Sequence, residues 1–236
     1  MVRLFLVRHG QRGDFVDKEW MDKQDLVDKT RHTDSVLSEL GLQQAQNLAQ
    51  YFAHLKLQNA SIFSSPYTRC LQTALPLCDV FPEKKICMDH GIMEWDGYYE
   101  QWSTLRLPQS IVAMHDSFKP HISMQYSPST SLENFVSRFP FHETREMLNK
   151  RVQGTVRAIV EQYGGDSDLI LVSHGACVIA AVEAFLSPEQ LEHYKPRCGV
   201  ASVAELQSND KGKTWELVQN GTTHFLQSGE LYVAQK

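Results

Sequence analysis

Three short fragments bring histidine and arginine to the places where apolar runs stop. They are Arg8-His9-Gly10 after LFLV, Ser65 to Arg69 after SIFS, and Ser173-His174-Gly175 after LILV, and Arg12 follows the first of them closely. Planar guanidinium forks match the oxygens of a phosphate monoester, and Arg8, Arg12 and Arg69 would supply three of them. An imidazole among such cations resists protonation, because one more positive charge nearby is costly, so His9 would stay neutral and nucleophilic. A leaving alkoxide or phenoxide needs a proton, and an attacking water must lose one, so a single carboxyl group could serve as acid and then as base. Glu94 and Asp96 in GIMEWDG both offer such a group.

These fragments are useful together only if the fold delivers them to one place. Short apolar runs alternate with helical patterns, which predicts an α/β fold whose mostly parallel central sheet is flanked by helices on both faces. Residues 4–7, 61–63, 85–88 and 169–172 read as strands. Leu42, Ala45, Leu48, Ala49 and Phe52 recur at helical spacing behind Ser38 as an N-cap. Further helices are predicted from Ser64-Ser65-Pro66 through Ala74 toward Asp79, over 176–186, and over 143–163, the longest, with Leu148, Val152, Val156 and Ile159 on one side. Residues 200–206 and 214–218 flank the turn-rich SNDKGK and predict a C-terminal hairpin that ends or edges the sheet. Ligands of open α/β sheets bind beyond the carboxyl ends of the strands, so the three fragments converge on one pocket.

Two stretches fit no regular element. Residues 14–36 are dense in charge and read as a solvated insertion rather than a binding surface, and residues 103–142, rich in Pro, Ser, Phe and His, read as a lid insertion. Trp95, Tyr98, Tyr99 and Trp102 either line a pocket for an apolar leaving group or pack the lid. The chain of 236 residues is expected to form a single domain.

Composition removes several function classes. The net charge of −5 argues against a nucleic-acid binder, whose affinity needs an excess of Lys and Arg. No apolar run nears the roughly 20 residues that span a bilayer, and MVRLFLVRH is too short for a signal peptide, so no membrane is expected and the location reads as cytoplasmic. Five cysteines without a CxxC pair read as reduced core thiols rather than disulfides or a zinc cluster. The remaining histidines show neither HxH nor HExxH spacing and read as surface or hydrogen-bonded groups, with His121 and His224 singled out for inspection.

LVRHG, SSPYTRCLQTA, Glu94 in GIMEWDG, and LVSHGA together resemble the histidine phosphatase superfamily, also called the phosphoglycerate mutase-like fold, over nearly the whole chain. Arg12 in RHGQR, LSELGLQQA, Trp95 and FKPHIS are most similar to the phosphatase domain of the TULA (Sts-type) proteins and the ecdysteroid-phosphate phosphatases, and a more distant resemblance is to transcription-factor subunits that borrow this domain. The resemblance implies a phosphohistidine on His9, a phosphoryl hydrogen bond from His174, and Glu94 at the acid position of the mutase-like branch; the acid-phosphatase branch instead places an Asp where Gly175 stands. It implies a phosphomonoesterase acting on aryl, steroid-like or phosphotyrosyl esters, with Arg8, Arg12, Arg69 and His174 binding phosphate and no metal or other cofactor. The alternatives are a weak or inactive module acting in protein interaction, and a mutase-type phosphotransferase, although EWDGYYEQW departs from the mutase signature. The expected partner is a phosphate-ester substrate, and a homodimer is left open.

Overall fold

The computed structural model describes residues 1–16, 34–57, 59–95, 116–129, 143–165 and 167–227. The strands are β1 (Val2–Arg8), β2 (Ser61–Ser64), β3 (Ile86–Met88), β4 (Leu169–Ser173), β5 (Val203–Ser208) and β6 (Glu216–Thr222). The α-helices are α1 (Glu39–His54), α2 (Thr68–Ala74), α3 (Leu77–Val80), α4 (Arg145–Tyr163), α5 (Gly175–Glu183) and α6 (Pro188–Tyr194). The sheet order is β3-β2-β4-β1-β5-β6. The first four strands run parallel, and β5 and β6 add an antiparallel hairpin at one edge, as the turn-rich segment predicts.

Side chains of a strand alternate between faces, and β1 shows what that does here. Leu4 and Leu6 pack with Leu148, Val152, Val156 and Ile159 of α4 and with α5. Phe5 and Val7 pack on the other face with Leu48, Ala49 and Phe52 of α1 and Leu71 and Ala74 of α2. β1 and β4 are buried on both sides, which is why they read as unbroken apolar runs rather than alternating ones. Ser38 caps α1 by accepting from the Gly41 N–H, and Thr144 caps α4 by accepting from the Met147 N–H.

The predicted helix after β2 is corrected. It begins at Thr68 and stops at Ala74, because Pro76 lacks an amide hydrogen and cannot continue it, and α3 is a separate turn. Helix α6 is an addition to the elements expected. All five cysteines are free, and among the described residues no helix is long and apolar enough to cross a membrane.

Candidate functional site

β2, β4 and β1 are neighbours in the sheet, so the three fragments leave it side by side. Arg8 pairs in register with Ser173, and the His9 amide donates to the Ser173 carbonyl at 3.0 Å while the His9 carbonyl accepts from Ala201. The turn after His9 then presses against α1. A Cβ on Gly10 would lie 2.7 Å from the Gly41 carbonyl oxygen, so the approach requires glycine. The Gly10 amide donates to Thr73 of α2, and the Gln11 amide to Gln44 of α1.

This packing fixes the His9 ring. Its Nδ1 lies 2.8 Å from the Gly10 carbonyl, which can only accept; Nδ1 therefore carries the hydrogen and Nε2 the lone pair. Burial, and after it Arg69, His174 and Arg8, hold the His9 pKa well below the ordinary range, so the ring is neutral at pH 7. His174 stands just before α5 with its ring centroid 5.4 Å from that of His9. It is fully buried, and burial pushes its pKa down to about 4 against the pull of Glu94. Its Nε2 lies 2.8 Å from Ser65 Oγ; its Nδ1 lies 3.2 Å from Glu94 Oε2 and 3.1 Å from Arg69 Nη2.

Arg69 is the central cation. Its side chain is 1% exposed, its guanidinium lies 4.4 Å over the Tyr67 ring, and Nη2 also reaches Glu94 Oε2 at 3.3 Å. Asp34 braces the helix that carries it, accepting from the amide and hydroxyl of Thr68. Arg69 Nε and Nη1, and Nε of Arg8, are buried with no hydrogen-bond acceptor among the described residues. Glu94, and Asp34 at 3.9 Å from Arg69 Nη1, balance part of the Arg69 charge, but donors without acceptors stay costly to bury unless oxygens of a bound anion meet them. Arg8 also donates from Nη1 to the Cys198 carbonyl. Arg12 is arranged differently: Nε and Nη2 fork onto Asp14 at 3.0 and 2.6 Å, and the guanidinium stacks over Phe15.

Glu94 follows a short 3-10 turn, His90–Ile92, beyond the end of β3. Burial works against its charge, but His174 and Arg69 outweigh burial and hold its pKa well below the usual carboxylate range. It rests ionised. His9, Glu94 and His174 each offer a ligand atom within 4.8 Å of the others, which is the spacing a metal ion needs. Arg69 already places a fixed cation against two of the three, so the charge a divalent ion would bring is largely supplied.

The structure therefore brings His9, His174, Arg69 and Glu94 together, sets Arg8 beside His9, and engages Arg12 with Asp14. Asp96, Tyr98, Tyr99 and Trp102 lie outside the described residues, as do 17–33 and most of 103–142. Trp95 packs against the core, its Nε1 donating to the Glu143 carbonyl. His224 contacts Thr222 on the surface. Cys70 Sγ lies 3.5 Å from His174 Nε2, and burial pushes its thiol pKa up, which keeps it protonated. A cavity of about 890 Å³ opens at the other end of β1, near Val2, Phe185 and Trp215, and none of the site residues lines it. The sequence reading assigns no role to Asp34 or Arg151, and places Ser65 at a strand end without its hydroxyl contact to His174; Arg151 left a trace as a charged residue on the apolar stripe of α4 between Leu148 and Val152.

The chain is 25% identical to the transcription factor tau 55 kDa subunit of Saccharomyces cerevisiae, over 96% of this chain and 57% of that protein. It is 22% identical to the ecdysteroid-phosphate phosphatase of Drosophila melanogaster, over 92% of this chain and 32% of that protein. It thus spans about half of the first and a third of the second. The crystal structure of the ecdysone phosphate phosphatase from Bombix mori in complex with tungstate superposes with a TM-score of 0.66 at 17% identity, covering 94% of each chain, so the fold is shared. The sequence profile of the histidine phosphatase superfamily (branch 1) matches residues 4–221, and the chain belongs to that superfamily.

Proposed function

We propose that the protein is a phosphomonoesterase working through a phosphohistidine on His9. The observation that carries the reading is the set of buried guanidinium N–H groups on Arg69 and Arg8 that find no hydrogen-bond acceptor among the described residues, arranged about an imidazole whose ring hydrogen is committed to Gly10. Phosphate oxygens would accept from these donors and from His174, and the His9 Nε2 lone pair would attack phosphorus as the ester P–O bond breaks.

Glu94 handles the protons. Its depressed pKa leaves it ionised at rest, so it takes the proton of the substrate monoanion, populated below a second pKa of about 6, and passes it to the leaving oxygen as the ester bond breaks. Water then attacks the phosphohistidine, Glu94 takes a proton from it as the P–N bond breaks, and that proton returns to the departing phosphate, which leaves as the monoanion with Glu94 again ionised. No metal enters either step, and chelation should leave turnover unchanged. The aromatic run after Glu94 and the named activity of the Drosophila relative support esters of aryl or bulky apolar alcohols over phosphoglycerate. The yeast relative's name favours a second reading, in which the fold serves an assembly without turnover. The intact set of His9, His174, Arg69 and Glu94 supports turnover instead.

The test is rapid-quench labelling with an aryl phosphate, together with a comparison of kcat/KM for aryl, alkyl, phosphotyrosyl and phosphoglycerate substrates. Acid-labile phosphoenzyme should form in the wild type and be absent in His9→Ala. Glu94→Gln should still form it from p-nitrophenyl phosphate while alkyl esters lose about 10²- to 10⁴-fold. No labelling with any substrate would support the assembly reading, and phosphoryl transfer between the carbons of phosphoglycerate the mutase one.

A further inference from the structure

The short turn that carries Glu94 has little backbone support, and a buried ion pair from elsewhere in the chain holds it. Arg151, on the second turn of α4, donates from Nε and Nη2 to the two carboxylate oxygens of Glu143 at 2.7 and 2.6 Å. Its Nη1 donates to the carbonyls of both Gly91 and Met93, each at 3.0 Å. The Glu143 carbonyl accepts from the Trp95 indole at 2.7 Å. The peptide unit before Glu94 and the side chain of Trp95 after it are thus tied to Arg151 and Glu143, whose side chains are 4% and 2% exposed. The opposite side of the turn is held as well: Asp89 accepts from Gly91, and Ser173 and Cys177 donate to the Ile92 and Met93 carbonyls.

We propose that Arg151, locked by Glu143, is a positioning residue for Glu94 that sets the direction of its carboxylate toward the leaving group. The inference rests on the reading of Glu94 as the proton shuttle. The hydrogen bonds of Arg151 to Glu143, Gly91 and Met93 all bear on the turn that carries Glu94, so it acts on the proton step and leaves phosphoryl binding to the cradle. A guanidinium is needed because its planar fork serves the carboxylate with two nitrogens and the carbonyls with the third; a lysine ammonium can maintain charge but not all four directions.

Arg151→Lys is the informative substitution, measured in the full chain beside the wild type, Glu94→Gln and the Arg151→Lys/Glu94→Gln double variant. Arg151→Lys should hold p-nitrophenyl phosphate turnover within about threefold, while alkyl phosphate turnover, which needs the acid, falls about tenfold or more. The double variant should lose no more on alkyl esters than Glu94→Gln alone, because a displaced acid and a missing acid fail at the same step. Should Arg151→Lys fail to fold, Glu143→Gln loosens the same fork and should give the same leaving-group selectivity. Equal losses on both substrates, or additive losses in the double variant, would overturn the inference while leaving the shuttle intact. A wild type that never labels His9, or a Glu94→Gln without leaving-group selectivity, would instead remove the reading beneath it.

Discussion

Around His9 the chain is held by its backbone; around Glu94 it is held by side chains. Arg8, His9 and Ala201 exchange main-chain hydrogen bonds with Ser202, Ser173 and His9, continuing the ladder of the central strands. Beyond β3, Asp89 still donates to the Ser64 carbonyl at 3.0 Å, but from there the 3-10 turn adds Ile92 to Asp89, at a long 3.5 Å, and Met93 to His90. Asp89, Arg151, Ser173 and Cys177 supply the rest from four places in the sequence. A nucleophile set in a ladder survives most single substitutions nearby, whereas an acid on a side-chain scaffold can be displaced by a change far from it.

The largest expected effect tests the cradle end. Arg69→Met removes the central guanidinium and should lower kcat/KM for every phosphate ester by about 10²- to 10³-fold, with a matching loss of vanadate affinity, since such donors stabilise charge as it spreads in the transition state. Arg12→Met should cost only about tenfold, the size of one charge-assisted hydrogen bond, because Asp14 already occupies its fork. Steady-state kinetics with an aryl phosphate rank the two. Equal losses would mean that Arg12 leaves Asp14 when substrate binds.

A second effect separates the ends by pH. His174 is fully buried and neutral, with its pKa pushed down to about 4 from the ordinary 6.5. A depressed histidine favours folding where both states are neutral; that advantage is lost as pH falls from 6.5 toward 4, where the unfolded chain binds the proton and the folded one does not. The loss is on the order of 3 kcal/mol at the lower limit. His9 adds to it in the same direction, and Glu94, with its depressed pKa, contributes a further loss only below its unfolded value of about 4.5. Urea unfolding at pH 7, 5.5 and 4 should show the decline, and His174→Asn should flatten it over this window. A wild-type stability that stays level between pH 7 and 4 would mean that the rings protonate without opening the site.

The cradle end was largely legible in the sequence for the same reason that it is robust. Strands buried on both faces write continuous apolar runs, and their ends point to Arg8, His9, Ser65, Ser173 and His174 without further information. Glu94 needed the family resemblance, since β3 is only three residues long and GIMEWDG has no period to read. Its supports were not legible, because Glu143, Arg151 and Asp89 become partners through tertiary contacts that spacing does not encode. Asp34, which braces the Arg69 helix, sits at the end of a charged run that otherwise reads as solvated. Helix α6 was hidden for another reason. Its capping box, Ser187 with Gln190, and Pro188 at its first turn are visible in SPEQ, but no residue of the helix is buried, so no apolar stripe reveals it.

The smallest expected effect sharpens the acid end. Gly91 sits in the turn beneath Glu94, facing α4, and a Cβ there would fall 2.0 Å from Thr155 Oγ1 and under 3 Å from Thr155 Cβ and Cγ2. The helix and the turn cannot both stay in place. Gly91→Ala should therefore destabilise the protein by about 1 to 3 kcal/mol, the usual cost of overpacking a closed contact, and lower Tm by roughly 2 to 4 °C per kcal/mol for a chain of this size. The same displacement moves the Gly91 carbonyl that Arg151 holds, so alkyl phosphate turnover should fall more than aryl turnover even where the variant is fully folded. Thr155→Ala removes Oγ1 and Cγ2 but keeps the Cβ at 2.8 Å, so combined with Gly91→Ala it should return part of the lost stability and of the leaving-group balance together. Recovery of stability alone would show that the turn tolerates a shift without misdirecting Glu94, and would leave the acid end as robust as the ladder that holds His9.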